Sequence, residues 1–223
     1  YVVSLCHCKV FRKPERTTLT RHRYLQFDLC QSRRRAVLCP KVTAMSDSRK
    51  NIIADSIRGI PDFPKPGILF WDVTTLMLVP EAFKASIDLL VERYRDKKID
   101  VVAGFEARGL IFGAPLALAL GCSFVPLRKP NKLPGETISA KYTLEYGSDK
   151  IEMHVGAVKE GQNVVLVDDL IATGGTMGAG IKLMGEVGAN VVEAACVIEL
   201  PDLKGRDKLG DIPLFVLVEK EGA

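Results

Sequence analysis

The chain is 223 residues long, 47% hydrophobic and 26% charged, with a net charge of +4. That suffices for one domain with a sizeable core; no apolar run reaches the ~18 residues of a membrane span, and the best, Leu110–Leu120, is broken by Gly113 and Pro115. The charge is lopsided: residues 1–44 hold ten Lys or Arg against Glu15 and Asp28, a net of +8, whereas the other 179 residues carry 21 basic and 25 acidic side chains, a net of −4. The basic balance therefore belongs to the leading segment and gives no reason to expect that the folded domain binds nucleic acid.

That leader begins with Tyr1, and Met45-Ser46-Asp47-Ser48 reads as a second, natural start. Residues 1–44 are Arg-rich and acid-poor without clear periodicity, as organelle transit peptides are. A disordered tail, or a stretch translated only in a gene model, fits the same composition, and the three readings stay open. Cys6, Cys8, Cys30 and Cys39 lie here, but Cys6-His7-Cys8 lacks the CxxC spacing of zinc sites. Cys122 and Cys196, the two in the body, are expected to be buried thiols of a reducing compartment. The folded domain is expected over residues 45–223.

From Asn51 onward helix-like and strand-like stretches alternate. Asn51–Ile57 reads as a short helix, and Pro61, Pro64 and Pro66 then stiffen a loop, since each fixes φ and removes a donor. Pro80–Asp96 places Phe83, Ile87, Leu90, Val91 and Tyr94 on one face of an amphipathic helix. Ile99–Ala103 predicts a strand, Gly109–Leu120 the helix after it, and Ser123–Leu127 the next strand. Arg128–Gly147 is a long polar segment. Ile151–His154 and Val164–Val167 follow as strands, Thr176–Val187 as a helix, and Val191–Ile198 and Leu214–Glu219 as the last strands. Such alternation predicts an α/β fold whose mostly parallel sheet is flanked by helices on both faces.

Residues 164–176, Val-Val-Leu-Val-Asp-Asp-Leu-Ile-Ala-Thr-Gly-Gly-Thr, say more than any other stretch. The aliphatic run reads as a buried strand with Asp168 and Asp169 at its carboxyl end, the edge at which open α/β sheets bind ligands. The Thr173-Gly174-Gly175-Thr176 turn can expose backbone N–H groups beside the positive end of the next helix, which suits a phosphate. A Walker loop would need Lys-Ser or Lys-Thr where Thr176 and Met177 stand. A dinucleotide fingerprint would put glycines where the two acids stand. A solvated turn whose acids face water is the plain competitor. One loop thus offers acceptors for a polyol and donors for a phosphate, as a ribose 5-phosphate requires.

This segment resembles the phosphoribosyl-diphosphate (PRPP) motif of type I phosphoribosyltransferases. From about Ile52 to Val218 the chain is similar to their adenine-specific branch, the adenine phosphoribosyltransferases, and especially to plant members. The resemblance implies the type I fold with an N-terminal hood and a mobile catalytic loop. It places the 5-phosphate in the turn Ala172, Thr173, Gly174, Gly175 and Thr176, and the ribose hydroxyls on Asp168 and Asp169. The diphosphate falls to Glu106-Ala107-Arg108-Gly109, another strand-to-helix turn, where Arg108 can grip oxygens bidentately and Gly109 allows close approach. In the family this loop often contains a cis peptide. Arg128, Lys129 and Lys132 open the long polar segment, and a loop of that length in a compact domain suits a lid. The resemblance makes it the catalytic loop that closes over PRPP and keeps water from a cationic sugar centre.

Glu145, in Leu144-Glu145-Tyr146-Gly147, matches the family's catalytic glutamate, which manages the purine proton or stabilises positive charge as the base attacks. Tyr146 would pack on the closed loop or bond to phosphate. Gly59–Asp72 resembles the adenine-binding hood, with Phe70 stacked on the purine and backbone near Leu69 and Trp71 reading its edge. Trp71 stands where relatives commonly carry Arg or Gln. Ile198–Arg206 also matches and marks kinship more than chemistry. The implied activity is a purine-salvage transferase that converts adenine and PRPP to AMP and pyrophosphate. Mg2+ would be held through PRPP, a direct bond to Asp168 or Asp169 being the alternative. A homodimer is implied, with a cytoplasmic address, or a plastid or mitochondrial one if residues 1–44 are a transit peptide. Two neighbouring enzyme readings are a phosphoribosyltransferase for modified, cytokinin-type adenines or one for a 6-oxopurine. A PRPP-sensing regulator should carry a helix-turn-helix pattern ahead of the core, and the leader shows none.

Overall fold

The computed structural model describes residues 42–144 and 147–221. Residues 1–41, with the leader readings that rest on them, and the candidates Glu145 and Tyr146 lie outside the described residues. Helix α1 (Val42–Ser56) begins nine residues ahead of the expected Asn51 and buries Ile53. Pro64 and Pro66 lie in a loop as expected, but that loop, with its cis Phe63–Pro64 bond, closes a two-stranded antiparallel hairpin of β1 (Arg58–Pro61) and β2 (Leu69–Asp72). A short helix α2 (Thr74–Met77) leads to α3 (Pro80–Tyr94), which starts on proline with Glu81 in its first turn and carries Arg93 in its last, as the helix dipole favours. Its buried face is Ala82, Ala85, Leu89, Leu90 and Tyr94, with the predicted Phe83, Ile87 and Val91 half-buried beside it.

The core elements follow: β3 (Val101–Phe105), α4 (Arg108–Leu120), β4 (Ser123–Leu127), β5 (Thr137–Leu144), β6 (Gly147–His154), β7 (Asn163–Ile171), α5 (Gly175–Glu186), β8 (Asn190–Glu199) and β9 (Leu214–Glu219). Two 3-10 turns, Pro201–Leu203 and Gly205–Lys208, separate the last two strands. Five strands form one sheet in the order β4-β3-β7-β8-β9, every neighbouring pair parallel. From β3 the chain moves outward to β4, and from β7 it moves the other way to β8. The crevice between the carboxyl ends of β3 and β7 is thus the topological switch point, where such sheets bind ligands.

Alternation along the strands sends side chains to two separate cores. Val102, Val165, Val167, Ala195 and Val197 pack under α1, α3 and α4, whereas Val101, Ala103, Phe105, Val164, Leu166 and Cys196 pack under α5. Cys196 is buried as expected; Cys122 is only half-buried. The polar segment 128–147 is not one long loop. Thr137–Leu144 pairs with β6 in continuous register from Thr137↔His154 to Leu144↔Gly147. One face of that hairpin, with Ala140, Ile151 and Met153, closes the second core, and the other face is polar, so apolar density alone hides the strand.

Candidate active site

The strand β7 continues past its aliphatic run, so Asp168 and Asp169 lie within the strand and not at its end. Both are buried, at 9% and 7% exposure, which calls for partners. Asp168 Oδ1 accepts the Asp169 backbone N–H at 2.9 Å, and Asp169 Oδ2 accepts Arg108 Nε at 2.5 Å. Burial, and then the neighbouring Asp169 charge, push the Asp168 carboxyl well above the ordinary range, while Arg108 pulls against them. The Arg108 guanidinium also lies 5.8 Å from the Phe70 ring centroid. The bond joining Glu106 to Ala107 is cis, as the resemblance implied.

Beyond Ile171, the turn reaches Gly174, whose φ of +74° opens α5 without any side-chain cap. The first N–H groups of that helix are therefore left for an anion. Only glycine fits: a Cβ at Gly174 would lie 2.2 Å from the Gly205 carbonyl oxygen. Gly109 is held the same way, since a Cβ there would lie 2.6 Å from the Val167 oxygen, and this sets the start of α4 flush against β7.

A cavity of about 530 Å3 lies over this edge. Asp168, Asp169, Arg108, Lys129 and the Ala172–Thr176 turn line one end, and Leu69, Phe70 and Trp71 of the hairpin line the other. Most of the sequence-derived candidates therefore meet at one place. Arg128 is turned aside onto Glu106, with Nε 2.7 Å from Oε2, and Lys132 is exposed away from the lining. The Trp71 indole N–H is engaged outside the cavity, donating to the Glu221 carbonyl at 3.0 Å.

Two segments named in the sequence play parts that it did not reveal. Glu106 accepts both Arg128 and the Lys129 backbone N–H (3.0 Å), tying the turn between β3 and α4 to the start of the polar segment. Burial opposes its charge, but these hydrogen bonds and the nearby cations hold its carboxyl below the ordinary range. The segment Ile198–Arg206 does more than mark kinship. Leu200 and Leu203 line the cavity, and Gly205 buttresses the phosphate turn. Arg206 anchors the segment through a two-point contact with the buried Glu199.

Residues 73–219 match the family model described as the phosphoribosyl transferase domain. Adenine phosphoribosyltransferase 1 of Triticum aestivum is 68% identical over 176 residues, covering 79% of this chain and 97% of the wheat protein. The chain belongs to the adenine phosphoribosyltransferase family. The chloroplastic adenine phosphoribosyltransferase 1 of Arabidopsis thaliana is 63% identical over 78% of this chain and 72% of its own length. The crystal structure of the Saccharomyces cerevisiae adenine phosphoribosyltransferase, complexed with an imino-altritol bisphosphate and adenine, superposes with a TM-score of 0.73. It is 44% identical and covers 77% of this chain and 99% of the yeast chain. The family-wide match starts at Val73, just after the hairpin, so both strand-to-helix turns fall inside it and the aromatic hood falls outside.

Among the described residues no three His, Cys, Asp or Glu side chains gather into a cation site. The two buried acids beside an anion-binding turn suit a magnesium ion that arrives on phosphate oxygens and keeps its own waters.

Proposed function

We propose that this chain transfers the 5-phosphoribosyl group of PRPP to adenine, giving AMP and pyrophosphate in purine salvage. The observation that carries the reading is one cavity with an anion-binding turn and paired acids at one end and an aromatic hood at the other. The turn Ala172–Thr176 holds the 5-phosphate through backbone donors. Asp168 and Asp169 accept the ribose hydroxyls, and Arg108 with Lys129 grips the diphosphate. Arg128 and Lys132 reach it only when the 128–136 segment swings over, which releases Arg128 from Glu106. Phe70 stacks on the purine, with backbone at Leu69 and Trp71 along its edge.

A ring nitrogen of adenine bonds to the anomeric carbon as the carbon–oxygen bond to diphosphate breaks, and the bonding pair leaves with pyrophosphate. Glu145 manages the proton lost from the purine or stabilises positive charge as the base attacks, and Tyr146 serves the closed loop or the phosphate. Magnesium, when bound through PRPP, neutralises the departing diphosphate. Alignment of base and sugar can itself lower the barrier by ~7–11 kcal/mol.

The assembly is a homodimer, a reading supported by exposed apolar side chains. Leu118 is 84% exposed and Ile111 lies two turns earlier on α4, while Leu78 is 79% exposed before α3. Residues 45–223 form the catalytic domain, and the leader sets the address: cytoplasmic without a transit function, plastid or mitochondrial with one. A PRPP-dependent assay with adenine, N6-substituted adenines, hypoxanthine and guanine, on chains starting at Tyr1 and at Met45, tests the reading. Adenine should be converted to AMP by both chains, with no product from the 6-oxopurines. Absence of PRPP consumption with every base would sink it.

A further inference from the structure

The indole of Trp71 is held by Lys220 and Glu221, far along the chain. Its Nε1–H donates to the Glu221 carbonyl at 3.0 Å, and the Lys220 ammonium sits over its ring, 4.6 Å from the centroid. Lys220 is itself pinned, since its Nζ donates to the Ala54 carbonyl of α1 at 3.0 Å. On the hairpin, Trp71 faces Gly59 across the ladder, where a Cβ would lie 3.3 Å from the indole. The segment after β9 thus holds the hairpin through the indole and is itself tied by Lys220 to helix α1.

The hairpin joins only Arg58–Pro61 to Leu69–Asp72. A ribbon of that size is marginal by itself, so its pose over the cavity depends on such anchors. Successive strand residues point to opposite faces. Fixing Trp71 on one face fixes Phe70 on the other, where its ring meets Phe63 at 5.1 Å and Arg108 at 5.8 Å.

We propose that Lys220 is a positioning residue for the base end of the site: by clamping Trp71 it sets the pose of Phe70, and so the affinity for the purine, without touching the purine. This rests on the base-binding role of the hairpin proposed above. Trp71 is the only tryptophan of the chain, so its fluorescence reads the clamp without any turnover.

The experiment compares the full chain with Lys220→Met and Lys220→Arg. In Lys220→Met the emission of the free protein should move to longer wavelength. The KM for adenine should rise about fivefold, the equivalent of ~1 kcal/mol and the scale of a cation–π contact. Turnover and the KM for PRPP should stay within about twofold, and Lys220→Arg should restore both emission and KM. Unchanged emission overturns the clamp, and shifted emission with an unchanged adenine KM overturns the positioning role. Equal rises in both KM values mark a general structural effect and also overturn it. A parent chain that consumes no PRPP with adenine defeats the functional reading itself, while the emission shift still reports on the clamp; the two failures are thereby distinguishable.

Discussion

The two ends of the cavity are built by opposite means. The end with the paired acids and the glycine turn, proposed for the sugar phosphate, stands on β3 and β7, central strands buried on both faces, and its turns are locked by glycines against neighbouring backbone. The aromatic end, proposed for the base, is a four-pair ribbon outside the main sheet, held in place by Trp71, Asp72 and their partners. Phosphate and ribose are the invariant parts of a phosphoribosyl donor, and backbone donors on a rigid sheet suit them. The base is the part that varies between such reactions, and on the proposed reading it meets an element that lies outside the main sheet. The family-wide match that stops short of the hairpin follows the same division.

The contrast can be broken at several points. Replacing Glu145 by alanine should lower kcat by ~10²–10⁴ if it serves as the acid–base group, and near-normal turnover in a steady-state assay would remove it from that role. Gly174→Ala attacks the rigid end, where both the +74° φ and the Gly205 carbonyl oppose a side chain. A loss on the order of 3 kcal/mol is expected, seen as a Tm lower by roughly 6–12 °C together with weaker PRPP binding. A chain that tolerates alanine there without change would show that the turn is not locked.

Phe70→Leu addresses the adaptable end. Losing the stack should raise the KM for adenine by roughly 2–12-fold and leave PRPP binding alone; a matching rise for PRPP would place Phe70 in a shared role. The smallest effect concerns stability. A carboxyl whose folded pKa is raised, as burial and Asp169 raise that of Asp168, contributes most below the unfolded value and loses that contribution as pH rises. Asp168→Asn should therefore melt a few degrees above the parent near pH 7, with the gap closing toward pH ~4, and at a cost in activity. Parallel Tm curves across that range would contradict the assignment.

Much of this was legible because buried parallel strands are aliphatic runs. Ser123–Leu127 and Leu214–Glu219 have the bounds read from sequence. What escaped depended on tertiary company. β7 runs on through two carboxylates because Arg108, sixty-one residues away, neutralises one of them. Thr137–Leu144 hides as a polar loop because only one of its faces is covered. Nothing local marks Glu106 as the link between the diphosphate turn and the polar segment, or Gly205 as the wall behind Gly174. Both roles arise from chain segments brought together only by the fold. The hairpin was masked by its prolines, which sit at the end of β1 and in the turn, where no ladder donor is needed.

Arg108 and Asp169 hold each other across the switch point, the guanidinium partly in solvent and the carboxylate nearly out of it. Sulfate or free phosphate that displaced the carboxylate from the Nε–H of that arginine would strand a shielded negative charge, which is unfavourable. A molecule that brings vicinal hydroxyls along with its anionic groups gives the carboxylate new donors in the same event. On the proposed reading the contact thus favours a sugar that brings both hydroxyls and anionic groups over a bare inorganic anion.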